Sequence, residues 1–95
     1  MDDNSFEWDS NKAKANLVKH RVGFDEGATI FNDPLLLTIA DPVHSETEQR
    51  YLSLGLSFKG RLLVVVHIER NHKTRLISCR KATLRERKAY ENLAK

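Results

Sequence analysis

Cysteine occurs once in this 95-residue chain, at position 79, tryptophan once, proline twice and glycine four times. A single thiol excludes an internal disulfide framework and suits a reducing compartment. No apolar run approaches the roughly 20 residues that span a bilayer. The opening segment MDDNSFEWDS is acidic and carries neither the basic stretch nor the apolar run of a secretory signal, so a cytoplasmic location without membrane attachment is expected. There is no glycine-rich phosphate loop, no G-x-S-x-G and no recognisable nucleophile triad. His67, His72 and Cys79 are the only hint of a metal, and their spacing fits no zinc pattern, so neither metal nor cofactor is expected. Repeats, low-complexity tracts and linkers rich in Pro, Gly or Ser are absent too, and residues 1–95 read as one domain.

What is present is charge, unevenly spread. The net charge is only +3, and hydrophobic residues at 40% against charged ones at 31% place the chain among globular rather than disordered sequences. Residues 1–58 hold five Lys or Arg against ten Asp or Glu, whereas residues 59–95 hold eleven against three. A basic half of this kind suits a polyanion, although a solvated basic face would look the same.

Periodicity outlines an α+β chain: two N-terminal helices, a small antiparallel sheet and a C-terminal helix. FEW, residues 6–8, reads as a short edge strand. In DSNKAKANLVKHR, Asp9 or Ser10 would cap a helix whose inner face carries Ala13, Leu17 and His20, with Val18 beside it. A second short helix would be capped by Asp25, turn Ala28 and Phe31 inward and stop at Pro34. Strands are expected over residues 35–41, over the alternating RYLSLGLSF, over RLLVVVHIE and over TRLISCRK, with turns at Lys59–Gly60 and RNHK. RLLVVVHIE, apolar on both faces, should be the central strand. In ATLRERKAYENLAK, Thr83 and Glu86 have the spacing of a capping box, and Leu84, Ala89, Tyr90 and Leu93 form a narrow apolar stripe.

Three groups could carry chemistry. Arg80, Lys81, Arg85 and Arg87 span a strand end and a helix start, where free N–H groups already favour phosphate and guanidinium forks bind it bidentately. The alternative is a solvated helix in which Glu86 and Glu91 pair with its cations. His67 follows the apolar run and points to the side of Glu69, a placement for proton transfer near neutral pH or for a hydrogen-bonded core histidine. His44, Glu46, Glu48 and Arg50 cluster at a turn and could include an acid or base, or be ordinary turn polarity. Cys79 sits inside a strand and reads as packed rather than reactive.

The chain resembles the BrnT family of type II toxins, small ribonucleases with a RelE-like fold. Trp8, Asp9, Lys12, Asn16, Lys19 and His20 fit the family's W-D followed by K-x-x-x-N-x-x-K-H. Arg75, Ile77, Ser78, Arg80, Ala82, Glu86, Arg87 and Tyr90 fit its R-x-I-S-x-R-x-A-x-x-x-E-R-x-x-Y. Two positions depart from the pattern: Arg21 stands where glycine commonly ends the first helix, and Gly27 where alanine is common. The resemblance implies an endoribonuclease that cuts RNA, inhibits translation and is neutralised by a BrnA-type antitoxin encoded beside it. The complex would hold two copies of each and bind DNA through the antitoxin only. Metal-free cleavage by the RNA's own 2′-OH would then use Arg80 and Arg85 to stabilise the phosphate. His67 would move the proton, with Glu69 or Glu48 as second choice. Arg50, Arg75, Lys81 and Arg87 would track the backbone, and Tyr90 would stack on a base or bond a phosphate. A non-catalytic nucleic-acid-binding or antitoxin-binding module is the competing reading.

Overall fold

The computed structural model of the chain describes residues 5–41, 43 and 48–93. In chain order its elements are β1 (Phe6–Glu7), α1 (Ser10–His20), α2 (Phe24–Ala28), a 3-10 turn (Thr29–Asn32), β2 (Leu37–Ala40), β3 (Tyr51–Leu56), β4 (Leu62–Arg70), β5 (Lys73–Lys81) and α3 (Leu84–Leu93). No helix among the described residues is long and apolar enough to cross a membrane. The most apolar stretch, LLVVV, becomes the middle strand of a five-stranded sheet ordered β1-β5-β4-β3-β2. Both of its faces are covered, as its lack of alternation predicts. Leu63 and Val65 join Val22, Phe24, Ile30, Leu76 and Cys79 under the N-terminal helices, while Leu62 and Val64 join Leu54 on the other face, with Ala82 and Tyr90 packed against them.

The α+β expectation holds, but the sheet is mixed rather than antiparallel. β2 to β5 form an antiparallel meander, and β1 adds to the edge of β5 in parallel, pairing Phe6 with Thr74 and Glu7 with Arg75. Such a two-residue strand leaves no period to read in the sequence. The β4–β5 turn needs positive φ at both central residues to match the twist of the strands, and Asn71 (53°) and His72 (65°) supply it. Between β3 and β4, Gly60 takes φ 77°.

Local signals fix the helix ends with two corrections. Asp9 caps α1, its carboxylate accepting from the N–H groups of Asn11 and Lys12. At the other end Arg21 itself adopts the left-handed conformation (φ 59°) that glycine would take without strain, and its N–H bonds the Leu17 carbonyl. The inner face of α1 is not the expected one: Leu17 and Val18 are 52% and 79% exposed, and the buried residue is Asn16. Asn16 lies beside Ala13 on the helix surface, and polar contacts rather than apolar area hold it there. Asp25 is not a cap either. Gly23 occupies that position, and Asp25 sits in the first turn of α2, where a negative charge suits the dipole.

Candidate nucleic-acid interface

Because side chains alternate along a strand, cross-strand register decides which residues meet. Tyr51, Ser53, Val65, His67 and Cys79 fall on the face covered by α1 and α2, whereas Leu52, Leu54, Val64, Val66 and Arg80 fall on the opposite face. That second face is covered by α3 at one end only.

His67 and Arg80 therefore lie on opposite sides of the sheet. The imidazole is 4% exposed, stacked on Tyr51 and set edge-on to Phe31. Its Nε2 is 2.7 Å from Ser53 Oγ, which is itself 2.7 Å from Thr38 Oγ1. Nδ1 stands 3.5 Å from the Glu69 carboxylate, which also accepts from Thr74 Oγ1. Burial pushes the imidazole below its ordinary pKa, and Glu69 pulls the other way. The arrangement is a polar chain crossing β2, β3 and β4 inside the helix-covered layer. Cys79 lies in the same layer, and burial raises its thiol to about 12, which leaves no thiolate for nucleophilic chemistry.

On the open face, Arg80 sends Nη1 and Nη2 to the two oxygens of Glu86, at 2.8 and 2.9 Å. Glu86 also accepts from the Thr83 N–H, and Thr83 Oγ1 accepts from the Glu86 N–H, so the capping box read in the sequence is formed. Arg80 thus anchors the start of α3 to β5. Hydrogen bonds from Arg80 and then from Thr83 hold the Glu86 carboxyl at about 2 against the opposing effect of burial. A depressed carboxylate stabilises the fold above its unfolded pKa, about 4.3, and loses that contribution as pH falls toward 2. Both side chains are partly exposed, so Glu86→Gln should cost about 1 kcal/mol near neutrality. Urea titrations at pH 7 and pH 3 should show the gap between parent and variant shrinking at the lower pH.

Tyr90 is engaged as well: its hydroxyl donates to Asp33 at 2.6 Å, which raises the phenol to about 12. This bond ties α3 to the loop before β2. Arg85 lines an apolar groove between α3 and the sheet, and Arg87 is exposed on α3. Lys81 is exposed at the end of β5 on the helix-covered side. His44 and Glu46 lie outside the described residues.

Beyond α3 the same face opens into a polar cavity of about 260 Å³ walled by Lys12, Glu48, Arg50, Arg70 and Arg75 over a floor of Ile68 and Ile77. Its four cations come from α1, the segment before β3, the end of β4 and β5. Arg70 donates to Glu48 at 3.0 Å, and Arg75 lies 3.3 Å from Glu7. Arg50 and Arg75 belong to the basic residues singled out from the sequence. Lys12 and Arg70 were not among them, although Lys12 stands inside the K-x-x-x-N motif; Arg70 belongs to RNHK, which reads as a turn in the sequence, yet in the structure it ends β4. A cavity with carboxylate-paired arginines and an apolar floor can hold a phosphodiester by exchanging those carboxylates for phosphate oxygens.

Comparison with known proteins adds two findings. A family model described as "Ribonuclease toxin, BrnT, of type II toxin-antitoxin system" matches residues 8–86. Among solved structures, the 1.1 Å crystal structure of the Brucella abortus ribonuclease toxin BrnT matches with a TM-score of 0.61, covering 82% of this chain and 95% of that one at 18% identity. That second likeness is one of fold. No curated protein matches the sequence.

Proposed function

We propose, from the premise that this chain belongs to the BrnT family of ribonuclease toxins of type II toxin-antitoxin systems, that it cuts RNA without a metal on the open face of its sheet. Its action would inhibit translation and arrest growth in the cytoplasm until a BrnA-type antitoxin binds in a 2:2 complex. A single RelE-like domain over residues 1–95 belongs to the same reading.

One observation carries it: four cations from four separate segments surround a single cavity and a carboxylate, Glu48. In this reading Arg75, Arg70, Arg50 and Lys12 grip the scissile phosphate, while Arg85 and Arg87 on α3, whose start Arg80 anchors, extend the basic track along which the backbone runs. The 2′-OH gives its proton to Glu48, the 2′ oxygen bonds to phosphorus, the bond to the 5′ oxygen breaks, and that oxygen takes a proton from solvent. The products are a 2′,3′-cyclic phosphate and a 5′-OH end. Fixed guanidinium groups stabilise the charge that grows on the phosphoryl oxygens. Glu48 is preferred to His67 and Glu69 as proton acceptor because it lines the cavity, while His67 is buried on the far face. The His67–Ser53 bond then stiffens the sheet beneath the site.

Incubation of the purified protein with RNA in EDTA should yield new 3′ ends bearing cyclic phosphate. Arg75→Ala and Arg70→Ala should each slow cleavage at least tenfold with unchanged circular dichroism. A salt-sensitive mobility shift without new ends would favour the binding module instead. Undiminished cleavage by both variants would move the centre away from this cavity.

A further inference from the structure

β2 is the outer strand of the sheet on the side away from β1. The Asp41 N–H donates to the Arg50 carbonyl across the ladder. Hydrogen-bonded and non-bonded pairs alternate in antiparallel strands, so the main-chain groups of Leu37 and Ile39 face β3 and those of Thr38 and Ala40 face outward. Natural edge strands are usually guarded by lysine, proline, a bulge or a covering segment. Residues 35–40, LLLTIA, contain no charge and no proline, and no described strand pairs with this edge.

The edge adjoins the apolar groove under α3. Leu37, Ile39, Leu52, Leu54, Val64 and Ala89 line about 260 Å³ of space there, and Ile39 is 55% exposed. No residue of α3 is buried; the Arg80–Glu86 and Tyr90–Asp33 bonds tie it to β5 and to the loop before β2, and Tyr90 packs against the cluster of Leu54, Leu62 and Val64. The groove wall is electrostatically one-sided. Its carboxylate, Glu86, is bound by both ends of the Arg80 fork, whereas its cation, Arg85, has no carboxylate partner among the described residues.

We infer that the outer edge of β2 and the adjoining groove receive an extended segment of the antitoxin, added to the sheet as a sixth strand, with apolar side chains on one face and carboxylates toward Arg85. The inference rests on the reading of this chain as a toxin with a protein antitoxin. Strand addition supplies main-chain bonds from Thr38 and Ala40, and the period of two sends alternate side chains beside Ile39 over the groove. An isologous pairing of two copies through four residues would bury far less than the roughly 1,200 Å² of a stable interface, which favours a partner segment that also fills the groove. The bound segment would cross the face that leads to the basic cavity and so obstruct the RNA track.

The test uses the full-length chain purified alone and in complex with the protein encoded by the adjoining antitoxin reading frame. In the complex the amides of Thr38 and Ala40 should exchange at least 100-fold more slowly by NMR, while those of Leu37 and Ile39, already paired, change little. Ala40→Pro removes one outward N–H, and Ile39→Glu places a carboxylate at the groove. Each should weaken the complex at least tenfold while the free variant keeps its fold and any ribonuclease activity. Protection confined to other surfaces, or parent-like binding by both variants, overturns the inference. So does slow exchange of Thr38 and Ala40 in the free chain together with a dimeric mass, since a second copy would then hold the edge. If the protein cuts no RNA yet the complex protects β2, the nuclease reading fails and this one stands.

Discussion

An Asn16→Ala variant is expected to lose about 4 kcal/mol of stability, a large share of the roughly 5–10 kcal/mol that holds a domain of this size. Asn16 is 6% exposed and makes three hydrogen bonds through one amide. Nδ2 donates to the carbonyls of Val22 (2.9 Å) and Cys79 (2.8 Å), and Oδ1 accepts from the Cys79 N–H at 3.0 Å. β1 pairs with β5 only at Thr74 and Arg75, so farther along β5 would present a bare edge to the core. Asn16 closes that edge by imitating a strand residue, with a donor and an acceptor side by side. Alanine fits the space but leaves a buried N–H and two buried carbonyls without partners, each costing about 1–3 kcal/mol and not fully additive. With about 4–8 °C per kcal/mol for a domain this small, the melting temperature should fall by roughly 15–30 °C in a thermal scan followed by circular dichroism. A loss below about 1 kcal/mol would mean that water replaces the amide and that the edge is not sealed.

That residue also marks the limit of reading the sequence alone. The three-residue spacing of Thr83 and Glu86 is a local cause with a local effect, and the capping box forms as read. LLVVV carries its own burial signal and becomes the central strand. Asn16 carries none, because asparagine in a helix is ordinarily exposed, and its bonds reach residue 79, 63 positions away. The separation of His67 from Arg80 was equally hidden. Each strand's alternation is legible, but which face of β5 matches which face of β4 depends on register, and the ladder slips at Val66/His67.

The uneven charge along the sequence has a partly structural origin. Carboxylates of the acidic half meet arginines of the basic half in Glu7–Arg75, Glu26–Arg61 and Glu48–Arg70. Counting charges reveals the complement but not the pairing, and the pairing decides which cations are engaged. Arg80, the most prominent cation by sequence, is spent on a helix cap. The cavity around Arg75 draws on residues 12 to 77, a convergence no linear window contains.

Of these pairs, Glu26–Arg61 is the one whose disruption should cost most, because Glu26 is 2% exposed. Arg61 donates from Nε to Oε2 at 2.9 Å and from Nη2 to Oε1, and Ser57 Oγ donates to Oε2 at 2.7 Å. Lys59 stands 4.0 Å from Oε1. Arg61 holds the Glu26 carboxyl below its ordinary pKa, against burial, with Ser57 assisting. Arg61→Ala leaves a buried carboxylate with one hydroxyl and a distant ammonium, and should cost about 3 kcal/mol at pH 7. In the parent the folded pKa lies below the unfolded one, so the pair's contribution is present above about pH 4.3 and is lost as pH falls through the folded value. In the variant, burial is opposed only by the Ser57 hydroxyl and the distant Lys59, and the folded pKa should rise above the unfolded one, so the carboxyl takes up a proton on acidification and relieves its own penalty. The difference between parent and variant should therefore shrink by at least about 1 kcal/mol between pH 7 and pH 4 in urea titrations. Adding Glu26→Gln to Arg61→Ala should restore part of the loss at pH 7, because the unpaired charge is gone. A loss independent of pH and unrelieved by that second change would assign the destabilisation to the other bond Arg61 makes, from Nη2 to the Arg21 carbonyl at 3.3 Å. The left-handed cap of α1, rather than the buried carboxylate, would then be what Arg61 supports.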